Sequence, residues 1–304
     1  MKNFYASSIN ADALGNPEKF IEDCTERYLD AVDIAANLLA LKEKKIIMLA
    51  GPSSSGKTTT ARLLKKALGE HGIHAVTVSL DDFYHDDYAL YPLNEDGSYN
   101  YESVQALNLP LVQKCFRELM ENGKSSLPVF DFKTHKRFDN ANPIELGRGS
   151  AVIVEGIHGL NPLITENLPD DAMGKVYVSV SSRIKGADGE ITLRKRDLRL
   201  IRRLVRDYNF RGTSADETLS VWESVCRGED EYIFPFRDNA SIKLNSFHEC
   251  EIGLLAGMAR ELLQSSISAE NRPLADKLLE GLRGMETIDG SLLPEDCLLH
   301  EFIG

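Results

Sequence analysis

Between the apolar run Ile46-Ile47-Met48-Leu49-Ala50 and the segment Thr59-Thr60-Ala61-Arg62-Leu63-Leu64 stands Gly51-Pro52-Ser53-Ser54-Ser55-Gly56-Lys57-Thr58, a complete G-x-x-x-x-G-K-[ST] pattern. A buried strand, a glycine loop and a helix in that order confine the chain to folds built on a parallel sheet. Successive backbone N–H groups of such a loop, with the N-terminal end of the following helix, form a concave site for phosphate. The pattern makes Gly51, Ser53, Ser54, Ser55, Gly56, Lys57, Thr58 and Thr59 the expected nucleotide-binding residues. Lys57 is placed at the β/γ oxygens and Thr58 on Mg²⁺. The chain is expected to bind a nucleoside triphosphate, ATP or GTP, and what receives the phosphate is the open question.

With 304 residues, one large α/β domain with helical additions is the expectation. Hydrophobic residues make up 42% and charged residues 27%, an ordinary globular balance, and no apolar stretch approaches the roughly 18 to 20 residues of a membrane span. Residues 1–15 lack the apolar centre of a signal peptide, and the five cysteines, Cys24, Cys115, Cys226, Cys250 and Cys297, are odd in number and widely spaced. A cytoplasmic protein with reduced thiols and no membrane partner is expected. A net charge of -12 argues against nucleic acid as the main partner.

Asn16-Pro17 followed by Phe20, Cys24, Tyr28, Val32, Ala35 and Leu39 predicts a capped amphipathic helix over 17–41. From there strands at 45–50, 75–80, 150–154 and 175–180 alternate with helices at 57–69 and about 102–121, the latter broken by Pro110. This is a βαβ pattern with a parallel sheet. Residues 86–101, rich in Tyr, Asp and Asn, form an irregular excursion. Helices are expected at about 193–210 and, after the capping box Ser214-x-x-Glu217, at about 214–227, with a short closing strand at 241–244. Leu254, Leu255, Met258, Leu262 and Leu263 share one helical face, as do Leu274, Leu278, Leu279 and Leu282. The division expected is an N-terminal helical extension (1–44), a nucleotide-binding domain (45–246) and a C-terminal helical appendage (247–304).

Two strands end in carboxylates. Val76-Thr77-Val78-Ser79-Leu80 runs into Asp81-Asp82, and Ala151-Val152-Ile153-Val154 into Glu155. Ligands of open α/β sheets sit beyond the carboxyl ends of the strands, so both acids are expected to face the phosphate loop. An acceptor hydroxyl needs a base as its P–O bond forms, which suits Asp81; an Asp pair that merely caps a turn is the plain alternative. Glu155 suits the acid that orders Mg²⁺, so Thr58, Asp81 and Glu155 are the candidate metal ligands. His158, between Gly156 and Gly159, reads either as a site residue or as a hydrogen-bonded structural histidine.

Arg199, Arg202, Arg203 and Arg206 recur at i, i+3, i+4 and i+7, one stripe of a helix. In an acidic chain with a phosphate loop, an arginine-rich mobile lid over about 183–213 is the economical reading, because guanidinium groups stabilise charge on the transferred phosphoryl. The plain alternative is a solvated helix face paired with nearby acids. Pro128 to Arg137 mixes rings, an imidazole and a guanidinium, which suits either a planar base or a core aromatic pair.

Taken together, GPSSSGKTTTARLL, SLDDFYHD, PVFDFKTHKR, VIVEGIHGLNP and RDLRLIRRLVRDYNFRG resemble the uridine kinase and phosphoribulokinase family, on its uridine kinase branch. TLSVWESVCRGEDEYIFPFRDNASIKLNS and LPEDCLLHEFIG are similar to bacterial nucleoside kinases often joined to a threonyl-tRNA-synthetase-like N-terminal region. The resemblance covers residues 45–304. It implies a P-loop kinase fold, a parallel sheet flanked by helices with helical additions at both ends, and ATP-dependent phosphorylation of a nucleoside. By this resemblance Lys57 and Thr58 are expected to hold the triphosphate and Mg²⁺, Asp81 to be the base toward a ribose 5′-hydroxyl, and Arg203 and Arg206 to act on the phosphoryl group. Tyr84, Glu102, Phe130, His135, Arg199 and Arg211 are implied at the substrate. Glu102 stands where the family usually carries Asp, Phe130 where many members carry Tyr, and Ser241 where an Asp is expected. Phosphoribulokinase-like or pantothenate-kinase-like action on another small alcohol, and a nucleotide-binding regulatory protein with residual turnover, are the alternatives. A homo-oligomer is left open.

Overall fold

A computed structural model describes residues 2–95, 97–166 and 168–304. Strand β1 (Lys2–Tyr5) leads into helices α1 (Ala6–Gly15) and α2 (Pro17–Leu41). α2 starts where the sequence places it. Pro17 sits in the first turn, where its missing N–H costs nothing, and Asn16 Oδ1 accepts from Lys19 N at 3.1 Å. The chain continues through β2 (Ile46–Ala50), α3 (Lys57–Glu70), β3 (His74–Ser79), α4 (Leu109–Asn122), the antiparallel pair β4 (Lys124–Asp131) and β5 (Lys136–Glu145), and β6 (Ser150–Glu155). After the one-turn α5 (Pro162–Thr165) come β7 (Met173–Ser179), β8 (Ser182–Lys185), β9 (Ile191–Leu193), α6 (Lys195–Arg211), α7 (Ala215–Ser220) and α8 (Trp222–Tyr232). β10 (Ile242–Asn245), α9 (Glu251–Gln264), α10 (Arg272–Gly281) and α11 (His300–Ile303) follow.

The central sheet has the order β10-β7-β2-β6-β3 and is parallel throughout. β2 is its middle strand, so the phosphate loop opens beyond the sheet's carboxyl edge with a neighbouring strand on either side. Both faces are covered, which is why β2 and β6 read as continuous apolar runs. Ile47, Leu49, Ala151 and Ile153 point into the core shared with α2, α3, α6 and α9, while Ile46, Met48, Val152 and Val154 point into the core shared with α4 and the β4–β5 hairpin. Among the described residues no helix is long and apolar enough to cross a membrane.

Several expectations change. The helix expected over 102–121 begins only at Leu109; Pro110 occupies its first turn and Asn108 Oδ1 caps Leu111 N at 3.1 Å, so the proline starts the helix rather than breaking it. The helix expected over 214–227 keeps its capping box but divides at Val221 into α7 and α8, where Ser220 Oγ donates to Glu217 O at 2.9 Å. The N-terminal region is not purely helical, because β1 pairs in parallel with β8 in a separate sheet of order β1-β8-β9. Nor do residues 1–44 and 247–304 pack apart from the nucleotide-binding domain: one hydrophobic cluster runs from Ile9 and Tyr28 through Leu49 and Leu64 to Leu255 and Phe302. The segment read as a mobile lid is likewise built in. Leu198, Leu200, Ile201, Leu204 and Val205 of α6 are buried in that cluster, and β8 and β9 are held in their sheet.

Candidate active site

The loop from Gly51 to Thr58 turns at Gly56, whose φ of +86° belongs to the left-handed region that glycine enters without strain. Ser54, at φ +55°, adopts the same region with a side chain, a conformation that persists only when its surroundings hold it. Three arginines of α6 supply that hold. Arg199 Nη1 donates to Ser53 O at 3.0 Å, Arg203 Nη1 to Ser53 Oγ at 3.0 Å, and Arg202 Nη1 reaches Ser54 O at 3.4 Å. The cationic stripe therefore packs against the phosphate loop rather than forming a solvated face. Arg199, 2% exposed, is clamped by both oxygens of Glu229, and Arg202, fully buried, by both oxygens of Glu251. Ser54 Oγ and Ser55 Oγ are buried with no hydrogen-bond partner among the described residues. Lys57 Nζ folds back to Pro52 O at 3.2 Å, and Thr58 is exposed at the loop's mouth.

The two acidic strand ends come together as expected. Ser79 and Glu155 are register partners on β3 and β6, and Ser79 Oγ donates to Glu155 Oε1 at 3.1 Å while accepting from Asp81 N at 3.2 Å. Burial pushes Asp81 and Glu155 above the usual carboxylate range, and each is drawn back by the charge of Lys57. Asp82 is occupied elsewhere: its Oδ1 accepts from Phe130 N at 3.0 Å and ties β4 to the end of β3. Glu102 lies close by, its burial raising it to about 7 against the pull of Arg203 and Lys57. Gly228 lets it approach, since a Cβ there would stand 2.4 Å from Glu102 Cβ.

A cavity of about 600 Å³ opens beside Asp81. Tyr84, Tyr91, Tyr101, Phe130, Phe132 and His135 line it, with Arg211 at its edge. Tyr84 is fixed by its hydroxyl, which donates to Tyr101 O at 3.0 Å. His135 stacks face to face on Tyr88 at 4.0 Å between centroids, meets Phe130 edge-on at 5.2 Å, and keeps Nε2 buried without a partner among the described residues. Of the expected substrate residues, the structure thus gathers Tyr84, Phe130, His135 and Arg211 around one cavity and sets Glu102 beside it. Arg199 is instead bound to Glu229 and Ser53, and lines a second cavity of about 310 Å³ with Pro52, Tyr177 and Lys195.

Arg203, Arg206 and Arg211 converge on a residue that the sequence reading did not single out. Asp207, almost wholly buried, accepts from Arg203 Nε at 3.1 Å and from Arg206 Nε at 2.9 Å, and pairs with Arg211 at 3.4 Å. The i, i+4 spacing of Asp207 to both Arg203 and Arg211 was a signal for it. Tyr91, Tyr101 and Phe132 are further lining residues that the sequence does not single out, although the first two lie in the Tyr-rich excursion of residues 86–101. His158 is a buried residue, 2% exposed, and burial lowers it to about 4 against a hydrogen bond with the backbone of Glu102. Ser241 enters β10, its hydroxyl donating to Lys175 O at 3.3 Å.

For Mg²⁺, the described residues hold no cluster of three or more His, Cys, Asp or Glu side chains suited to an ion. Magnesium bound with a nucleotide takes one or two protein groups, the remainder coming from phosphate and water. Thr58, exposed on the phosphate loop, and the carboxyls of Asp81 and Glu155, both within reach of the charge of Lys57, offer such groups.

Comparison with known proteins agrees with this geometry. Residues 46–252 match the model of the phosphoribulokinase / uridine kinase family. A uridine kinase of Staphylococcus aureus (strain JH9) is 31% identical over 204 residues, which cover 66% of this chain and 87% of that protein. A uridine kinase of Geobacillus sp. (strain WCH70) is 29% identical over 226 residues, covering 73% of this chain and 97% of its own length. Uridine kinase-like protein 5 of Arabidopsis thaliana is 29% identical over 203 residues, 66% of this chain, and the match spans only 39% of that longer protein. With its phosphate loop after the central strand and its acids beyond the ends of β6 and β3, the chain belongs to the phosphoribulokinase / uridine kinase family.

Proposed function

We propose that the protein transfers the γ-phosphoryl group of ATP to the 5′-hydroxyl of a pyrimidine ribonucleoside, uridine or cytidine, giving the monophosphate. One observation carries the reading: Asp81 belongs both to the charged group around Lys57 and to the wall of the aromatic cavity. An acceptor bound among those rings presents its hydroxyl to a carboxylate at the phosphate loop.

In this reading Asp81 accepts the hydroxyl proton, since Asp82 is engaged with Phe130 N. Lys57 swings from Pro52 O to the β/γ oxygens. Arg203 and Arg206, oriented by Asp207, stabilise charge on the transferred group, and Arg211 stands over the acceptor side. Ring faces of Phe130 and Tyr84 receive the planar base, the free Nε2 of His135 meets its polar edge, and Glu102 accepts from ribose hydroxyls. Thr58, Asp81 and Glu155 would hold Mg²⁺, which neutralises charge on the phosphate oxygens when bound. Nucleosides and small sugar alcohols assayed for ATP-dependent phosphorylation, with Lys57→Ala as the control, test the reading. Turnover confined to pyrimidine ribonucleosides and lost in the variant is expected. Activity only on non-nucleoside alcohols, or undiminished in Lys57→Ala, would refute it.

A further inference from the structure

The first amides of α3 precede its first intrahelical bond, which Thr60 N makes to Gly56 O at 2.9 Å, and Gly56 at the capping position has no side chain to satisfy them. A carboxylate from far along the chain takes one. Thr59 N donates to Glu301 Oε2 at 3.0 Å across 242 residues. Glu301 sits on α11, and the segment around it is fixed on several sides. Lys66 Nζ pairs with Asp296 at 2.5 Å, Asn209 Nδ2 donates to Phe302 O and Ile303 O at 3.2 Å each, and Phe302 lies buried under the Arg202 guanidinium at 4.9 Å. Leu298 covers Gly56 so closely that a Cβ there would meet Leu298 Cδ1 at 2.7 Å. The charge of Glu301 also reaches Glu155, among the influences that hold that carboxyl up.

Backbone amides at this point of a phosphate loop are the donors that cradle the α- and β-phosphates. An N–H donates along one direction, so a phosphate oxygen and Glu301 Oε2 exclude each other at Thr59 N, and a carboxylate retained there repels a polyphosphate. We propose that Glu301 is a residue of the nucleotide site: it holds the Thr59 amide until a phosphate oxygen replaces it, so the exchange of one anion for the other sets the affinity for the triphosphate. This rests on the reading that residues 51–58 bind a nucleoside triphosphate.

Isothermal titration of MgATP into the wild-type protein and Glu301→Gln tests it, because glutamine keeps an acceptor for Thr59 N without the charge. The variant is expected to bind on the order of 10-fold more tightly. In the wild-type protein, amide hydrogen exchange in residues 294–304 is expected to rise when MgATP is added, as α11 loses this anchor. Equal or weaker binding by Glu301→Gln, or exchange in 294–304 that is unchanged or falls with nucleotide, overturns the proposal. Absence of MgATP binding in both folded proteins overturns the reading of the loop itself. If Glu301→Gln does not fold, the exchange measurement on the wild-type protein decides.

Discussion

Arg202 on α6 and Glu251 on α9 form an ion pair with no solvent exposure on either side chain, joined through Nε–Oε1 at 3.0 Å and Nη2–Oε2 at 2.5 Å. The same guanidinium donates to Ser246 O at 2.7 Å and reaches Ser54 O of the phosphate loop. The pair couples α9, outside the expected kinase domain, to the loop that binds phosphate. Removing one partner leaves a charge in the core, which typically costs about 3–5 kcal/mol. Glu251→Gln should lose stability on that scale in urea unfolding, whereas the double change Arg202→Met, Glu251→Leu should lose much less. Equal losses in the two proteins would show that the buried charge is not the cause.

Asp81 and Asp82 are neighbours with different partners, so their variants should separate. Asp81→Asn should lower kcat by roughly 10² or more. Asp82→Asn weakens the acceptor of Phe130 N and should act mainly on the KM of the nucleoside. Steady-state kinetics in both substrates distinguish them, and a larger kcat loss in Asp82→Asn would reverse the assignment.

Asp207 holds three arginines toward the loop and the acceptor cavity. Asp207→Asn should depress kcat more than it raises either KM, because the guanidinium groups are set for charge that develops in transfer. Normal kcat with a lowered melting temperature would make Asp207 a structural residue only.

Glu102 gives a pH dependence with a defined sign. Burial holds it at about 7 in the folded protein against the ordinary 4.5 of a glutamate, in the company of Arg203, Glu229, Lys57 and Asp81. Between those values the folded state binds more protons than the unfolded state, so this group's contribution lowers stability as pH rises from 4.5 to about 7, and its penalty is complete above that. Glu102→Gln should therefore gain stability over the wild-type protein progressively across that window, by up to about 3 kcal/mol, and show no further gain above it. Denaturant unfolding at a series of pH values measures the difference, and a gap independent of pH would contradict it.

The sequence made legible whatever depends on local pattern. The run Ile46 to Thr58 specifies strand, loop and helix by itself, Glu155 follows an apolar run that reads as a buried strand, Asp81 follows the β-branched run of an edge strand, and Asn16-Pro17 announces the start of α2. What stayed hidden depends on contacts distant in sequence. The β4–β5 hairpin carries Pro128 and Pro143 and a largely exposed second strand, so no alternation marks it. Arg199 and Arg202 look like surface cations until Glu229 and Glu251 arrive from other helices. Glu301 carries no local signal at all, since its partner is an amide 242 residues away.

The most direct test of the account is the rate at which the purified protein, with MgATP, converts uridine and 2′-deoxyuridine to their 5′-monophosphates. A site that hydrogen-bonds a ribose hydroxyl through Glu102 rejects the analogue lacking it by factors that reach ~10⁴. The account predicts rapid formation of uridine 5′-monophosphate and strong discrimination against deoxyuridine. Equal rates on the two, or no phosphorylation of either nucleoside, would contradict it.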